Sequence, residues 1–123
     1  MYLIDTNILI WVLRGSRDYI RLLHDLKQKG PLAISVITIG EIYQNIKLEE
    51  LKRTEELLDE FQQFVVDAKI ASESGLYWQK YVQKRTKLTL TDCMIAATAR
   101  EYDCTLVTLN KKHFPMDDIR IYT

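Results

Sequence analysis

Tyr2-Leu3-Ile4-Asp5-Thr6-Asn7-Ile8-Leu9-Ile10-Trp11-Val12-Leu13 decides the fold class. Tyr2-Leu3-Ile4 is a short apolar run of the kind that makes a buried strand, and the apolar-rich residues 6–13 read as a helix. Asp5 stands between them. As a preferred N-cap residue it suits the start of that helix. As an acid at the mouth of a buried strand it also lies where a ligand can reach it. The two readings are compatible, because one carboxylate oxygen can cap while the other binds a cation.

Outward from this unit the same alternation repeats. Residues 17–29 carry Ile20, Leu22, Leu23 and Leu26 at helical spacing, and Gly30-Pro31 ends them. Leu32-Ala33-Ile34-Ser35 reads as a second strand, with Ser35 as N-cap of a helix over 36–47. Residues 51–64 read as a charged amphipathic helix and Val65-Val66 as a third strand. Asp67 caps a helix over 68–84, and 90–102 form a further helix with small residues Ala96, Ala97 and Ala99 suited to close packing. Strands follow at 105–108 and 119–122. Short apolar strands alternating with helices predict a parallel sheet covered on both faces. In such sheets polar groups that do chemistry gather beyond the carboxyl ends of the strands.

A chain of 123 residues is expected to form one domain spanning 1–123, large enough to bury a core without staples. Lysine plus arginine and aspartate plus glutamate number 17 each, so the formal net charge is zero. That speaks against holding duplex nucleic acid by charge alone, yet an acidic pocket ringed by cations would cancel in the same sum. Cys93 and Cys104 form no CxxC and sit in apolar segments, which reads as two reduced core thiols in a cytoplasmic protein. No signal peptide and no apolar stretch near the ~20 residues of a membrane span is expected.

Three carboxylates stand out. Glu41 interrupts Val36-Ile37-Thr38-Ile39-Gly40-Glu41-Ile42, and Thr38, Glu41 and Asn45 fall on one polar stripe of an apolar helix. A buried acid is costly unless paired. The alternative is that the stripe is a solvated face. Gly40 costs helix stability of ~1 kcal/mol relative to alanine, which suggests close approach of another backbone. Asp92, in Thr89-Leu90-Thr91-Asp92, has the spacing of a capping box, which still leaves it projecting from a helix end. Asn110 follows the strand at 105–108 and reads either as a turn residue or as a neutral oxygen donor. His24 reads as structural or exposed, and His113 as a substrate contact. No Ser–His–Asp or Cys–His spacing, phosphate loop or GxGxxG is present.

Together, Leu3-Ile4-Asp5-Thr6-Asn7, Ser35-Val36-Ile37-Thr38-Ile39-Gly40-Glu41-Ile42, Leu90-Thr91-Asp92-Cys93-Met94-Ile95-Ala96-Ala97-Thr98-Ala99 and Leu106-Val107-Thr108-Leu109-Asn110-Lys111-Lys112-His113-Phe114 resemble the PIN-domain family. Within it they look like VapC-type toxins of toxin–antitoxin pairs. The resemblance implies a three-layer α/β/α sandwich with a central parallel sheet. It implies an acidic cluster at Asp5, Glu41 and Asp92, with Thr6, Asn7 and Thr108 as supporting polar residues. Relatives often carry a fourth acid near Asn110. The amide here puts a second metal site in doubt and leaves a single site credible.

Converging carboxylates raise one another's pKa, and a divalent cation relieves the repulsion. Oxygen donors suit Mg²⁺ or Mn²⁺. The implied activity is endonucleolytic hydrolysis of RNA, transfer RNA or another structured RNA included. Asp5 and Asp92 would ligate metal directly. Glu41 would ligate it or orient water, and Asn110 would hold a water or help a second position. Arg14, Arg85, Lys87, Lys111, Lys112 and His113 are candidate RNA contacts, each also readable as ordinary surface charge. The implied partners are a cognate antitoxin and a second copy of the chain, for whose surfaces Trp11, Tyr43, Trp78 and Tyr81 are candidates. A PIN-like module that binds RNA or a partner with little turnover is the alternative, kept alive by Asn110. A receiver domain is disfavoured because Asp5 has no acidic neighbour, and a flap nuclease because little chain remains for threading DNA.

Overall fold

Successive side chains of a strand point to opposite faces of its sheet, and here that alternation divides the core in two. The computed structural model of the chain describes residues 1–83 and 87–123, and five strands lie among them. These are β1 (Tyr2–Ile4), β2 (Leu32–Ser35), β3 (Gln62–Phe64), β4 (Thr105–Val107) and β5 (Arg120–Ile121). They pair in parallel in the order β3-β2-β1-β4-β5. Leu3, Ala33 and Leu106 face one apolar cluster, built with α5 (Ala68–Tyr81) and α6 (Leu90–Glu101). Ile4, Ile34 and Val107 face the other, covered by α1 (Thr6–Leu13), α2 (Arg17–Lys29), α3 (Val36–Tyr43) and α4 (Leu51–Leu58). The expected α/β/α sandwich is therefore present.

The chain runs outward from β1 through β2 to β3, then returns across the sheet to place β4 on the other side of β1. The strand order thus reverses between β1 and β4, and in such sheets ligands bind beyond the carboxyl ends of the strands at this point. The backbone N–H of Asp5 donates to Val107 O at 2.9 Å, which fixes Asp5 at that point.

Three expectations need correction. Residues 51–64 are not one helix: α4 stops at Leu58, and Gln62–Phe64 is the third strand, with Ala33 opposite Gln62 and Ser35 opposite Phe64. Val65, expected in that strand, is 60% exposed beyond it. Phe61 and Phe64 satisfy a helical repeat as readily as a strand, so only pairing with β2 separates the two. Second, α3 ends at Tyr43 rather than near 47, and the Asn45 side-chain amide donates to Glu41 O at 2.9 Å just beyond it. Such a side-chain bond competes with helix continuation. Third, a Cβ at Gly40 would meet nothing within 4 Å, so Gly40 permits no close backbone approach. At Gly15, by contrast, φ is +82°, a left-handed conformation that favours glycine at the turn between α1 and α2.

α5 ends at Tyr81 with Val82 as its C-cap, short of the expected Lys84, which lies outside the described residues. Both cysteines are buried free thiols, and burial holds that of Cys93 up at about 11. No helix among the described residues is long and apolar enough to cross a membrane.

Candidate active site

Asp5 sits where β1 hands over to α1, in extended conformation as the N-cap. Its Oδ1 accepts from the Thr6 N–H at 2.8 Å and its Oδ2 accepts from the Thr108 hydroxyl at 2.7 Å. Thr108, immediately after β4, in turn accepts from the Asn110 N–H at 3.0 Å. The two central strands thereby hold one carboxylate between them. Asp5 is only 5% exposed. Burial raises its carboxyl above the ordinary value, against the hydrogen bonds from Thr108 and Thr6, and the charge of Asp92 raises it further.

Glu41 arrives from the last turn of α3. The Thr6 hydroxyl donates to its Oε1 at 2.6 Å and lies 3.2 Å from the hydroxyl of Thr38. Thr38 is fully buried, so the stripe Thr38–Glu41 is not a solvated face but the seam between α3 and the start of α1. Partial burial raises the Glu41 carboxyl, the Thr6 bond opposes this, and the charges of Asp5 and Asp92 add to it. Thr38 was legible only as part of the stripe, since nothing in the sequence says that Thr6 opposes it.

Asp92 occupies the first turn of α6. Its N–H donates to Thr89 Oγ1 at 3.1 Å and its Oδ2 accepts from the Thr89 N–H at 3.4 Å, closing the capping box. The box leaves the carboxylate half-buried, with His113 Nδ1 3.9 Å from Oδ2. His113 ends the short 3₁₀ turn Lys111–His113, anchored by buried Phe114. Its positive form would lower the Asp5 carboxyl. Carboxylates from β1, α3 and α6 thus feel one another's charge although 36 and 51 residues separate successive members.

The remaining candidates divide. Asn7 is half-buried on α1 beside the cluster. Asn110 begins the 3₁₀ turn and accepts from the His113 N–H at 2.8 Å, a turn role for its backbone. Lys111 and Lys112 are exposed on this same turn, and Lys87 is exposed ahead of α6. Arg14 lies at the far end of α1, its guanidinium 5.6 Å from the centre of the Trp11 ring. Arg85 lies outside the described residues. Of the aromatic candidates Trp11, Tyr43 and Trp78 are exposed, but Tyr81 is buried and belongs to the core.

The donor set is all hard oxygen, and its most buried member is an anion short of compensating charge, which fits Mg²⁺ or Mn²⁺. Among the described residues no three of His, Cys, Asp and Glu are already assembled around a single position. This also fits Mg²⁺, which keeps several waters and takes only one or two carboxylates plus substrate phosphate. Asp5 and Asp92, the second of which acts on the first through its charge, could supply them, and Glu41 accepts from Thr6.

The family model described as PIN domain matches residues 2–118. Ribonuclease VapC10 of Mycobacterium tuberculosis is 36% identical over 119 residues, covering 94% of this chain and 87% of that protein. Ribonuclease VapC19 of the same organism is 32% identical over 117 residues, covering 94% of each. A toxin–antitoxin complex from Klebsiella pneumoniae superposes with a TM-score of 0.79 at 33% identity, over 95% of this chain and 92% of that one.

Proposed function

The chain belongs to the PIN-domain family, and from that premise we propose that it is a metal-dependent endoribonuclease, the toxin of a toxin–antitoxin pair. The observation that carries the reading is Asp5, a carboxylate held by β1 and β4 where the strand order reverses and raised by burial, with the charge of Asp92 adding to it.

Asp5 and Asp92 are the direct ligands of Mg²⁺ or Mn²⁺. When bound, the ion supplies charge compensation for the phosphodiester and a more acidic water. Thr108 holds the Asp5 carboxylate by its hydrogen bond, and Thr6 sets the Glu41 carboxylate to orient the attacking water. Asn110 holds the loop that carries Lys111, Lys112 and His113 toward the phosphate. The substrate is a structured RNA, and the setting is the cytoplasm. The antitoxin partner is supported by the relatives named above, and a homodimer by the exposed Tyr43 and Trp78.

The test is incubation of the purified chain with a panel of structured RNAs, transfer RNAs among them, in Mg²⁺, Mn²⁺ or EDTA. Asp5→Ala and Asp92→Asn proteins purified identically run alongside. Discrete cleavage that needs metal and vanishes in both variants is expected. Equal cutting by wild type and variants, or RNA binding with no cutting, would leave a binding module instead.

A further inference from the structure

We infer that the outward face of α1, with Trp11 on it and the C-cap Arg14 at its far end, is a docking track for the unpaired nucleotides that flank the bond to be cut; this rests on the nuclease reading. Asn7, Trp11 and Arg14 follow one another at i, i+4 and i+7 and so share one side of the helix. Ile8, Leu9 and Leu13, on the other side, are buried. The face begins at the acidic cluster, because Asp5 is the N-cap of the same helix. Six residues separate Asp5 from Trp11, a rise of about 9 Å, which spans two to three stacked nucleotides at ~3.4 Å each.

Trp11 is 44% exposed, a large apolar ring left in water at a defined distance from the site. It is also held: the Tyr19 ring lies alongside at 6.3 Å and 26°, and the Arg14 guanidinium stands over it at 5.6 Å. An exposed aromatic ring beside a guanidinium is what an unpaired base stacks on, without regard to its identity. Among the described residues Arg14 makes no ion pair, so its charge is available to the adjoining phosphate.

Charge distribution favours RNA over a protein occupant here. Residues 14–29 carry five cations (Arg14, Arg17, Arg21, Lys27 and Lys29) against Asp18 and Asp25. Residues 49–60 reverse this, with six carboxylates against Lys52 and Arg53. The zero net charge conceals a cationic run at 14–29, on α2 and the turn before it, and an anionic run at 49–60 on and around α4. A polyanion leaving the acidic cluster is drawn along the first.

The chain has two tryptophans, so a Trp78→Phe protein leaves Trp11 as the sole reporter. It would be titrated in EDTA, where nothing is cut, with a single-stranded RNA octanucleotide of mixed sequence and with the same sequence as a duplex. Quenching of Trp11 emission by the single strand and not by the duplex is expected. Trp11→Ala should weaken single-strand binding about tenfold, Trp11→Phe should restore most of it, and Arg14→Ala should lower the salt slope by ~0.7. Absent quenching, or binding unchanged in Trp11→Ala, would overturn the track. So would unchanged RNA binding together with a changed oligomeric state in sedimentation, which would assign the face to a protein contact. Quenching without cleavage in Mg²⁺ would keep the track and remove the nuclease; cleavage with KM unchanged in Trp11→Ala would do the reverse.

Discussion

Asp5 must stay ionised to hold a cation, yet its position works against the charge. What favours the anion is two short hydrogen bonds, one from its own helix and one from Thr108 across the sheet. Thr108→Val keeps the shape and removes the donor. One carboxylate oxygen is then left buried without its partner, which costs about 1.5–3 kcal/mol for a charged acceptor. With that bond gone the Asp5 carboxyl rises further, so the acidic limb of the pH–rate profile should move to higher pH. Thr108→Ser should restore both stability and profile. A Thr108→Val protein with unchanged stability and an unmoved limb would show that Thr108 does not support the carboxylate. Residue identity alone could not show this pairing, because Asp5 and Thr108 are 103 positions apart.

Among elements, α6, like α1, has a start that is also part of the site. Thr89 caps it and Asp92 answers in the same box, so the cap that starts the helix also orients the acid. Thr89→Ala should cost ~1 kcal/mol of stability, seen as a lower denaturant midpoint at constant m-value. It should also cut kcat more than it raises KM, because the loosened Asp92 no longer meets the metal in one geometry. A loss of stability with kcat intact would confine the box to helix capping. Pattern reading placed the starts of the helices that have a cap of their own, α1 at Asp5, α3 at Ser35, α5 at Asp67 and α6 at Thr89, and it placed α2 from its apolar spacing and Gly30-Pro31. The misplaced element was β3, a short strand with no local signature of its own, joined directly to an amphipathic helix.

For the molecule as a whole, a carboxyl raised on folding makes stability fall as pH rises. Asp5 and Glu41 are both raised. Their contribution is therefore full below the ordinary carboxylate range and is lost as pH climbs through their higher folded values. In EDTA the Tm should fall from mildly acidic to neutral pH, and less so for Asp5→Asn. At neutral pH Mg²⁺ or Mn²⁺ should reverse the loss, since a ligand bound only by the folded state at 100 times its Kd adds ~2.7 kcal/mol. Asp5→Asn should show little of that rescue. A metal response equal in the two proteins would move the ion away from Asp5.

The sequence by itself determined the alternation of strand and helix and the two-sided burial of the sheet, and it singled out three acids as candidates. Those follow from local period and capping, which depend on neighbours a few residues away. Tertiary structure alone decided that β3 is a strand, that Thr38 and Thr6 form the seam under Glu41, that Thr108 reaches Asp5, and that Gly40 faces open space. Each of these depends on which distant segments touch, and contact across a sheet is set by topology and packing rather than by the order of side chains along the chain.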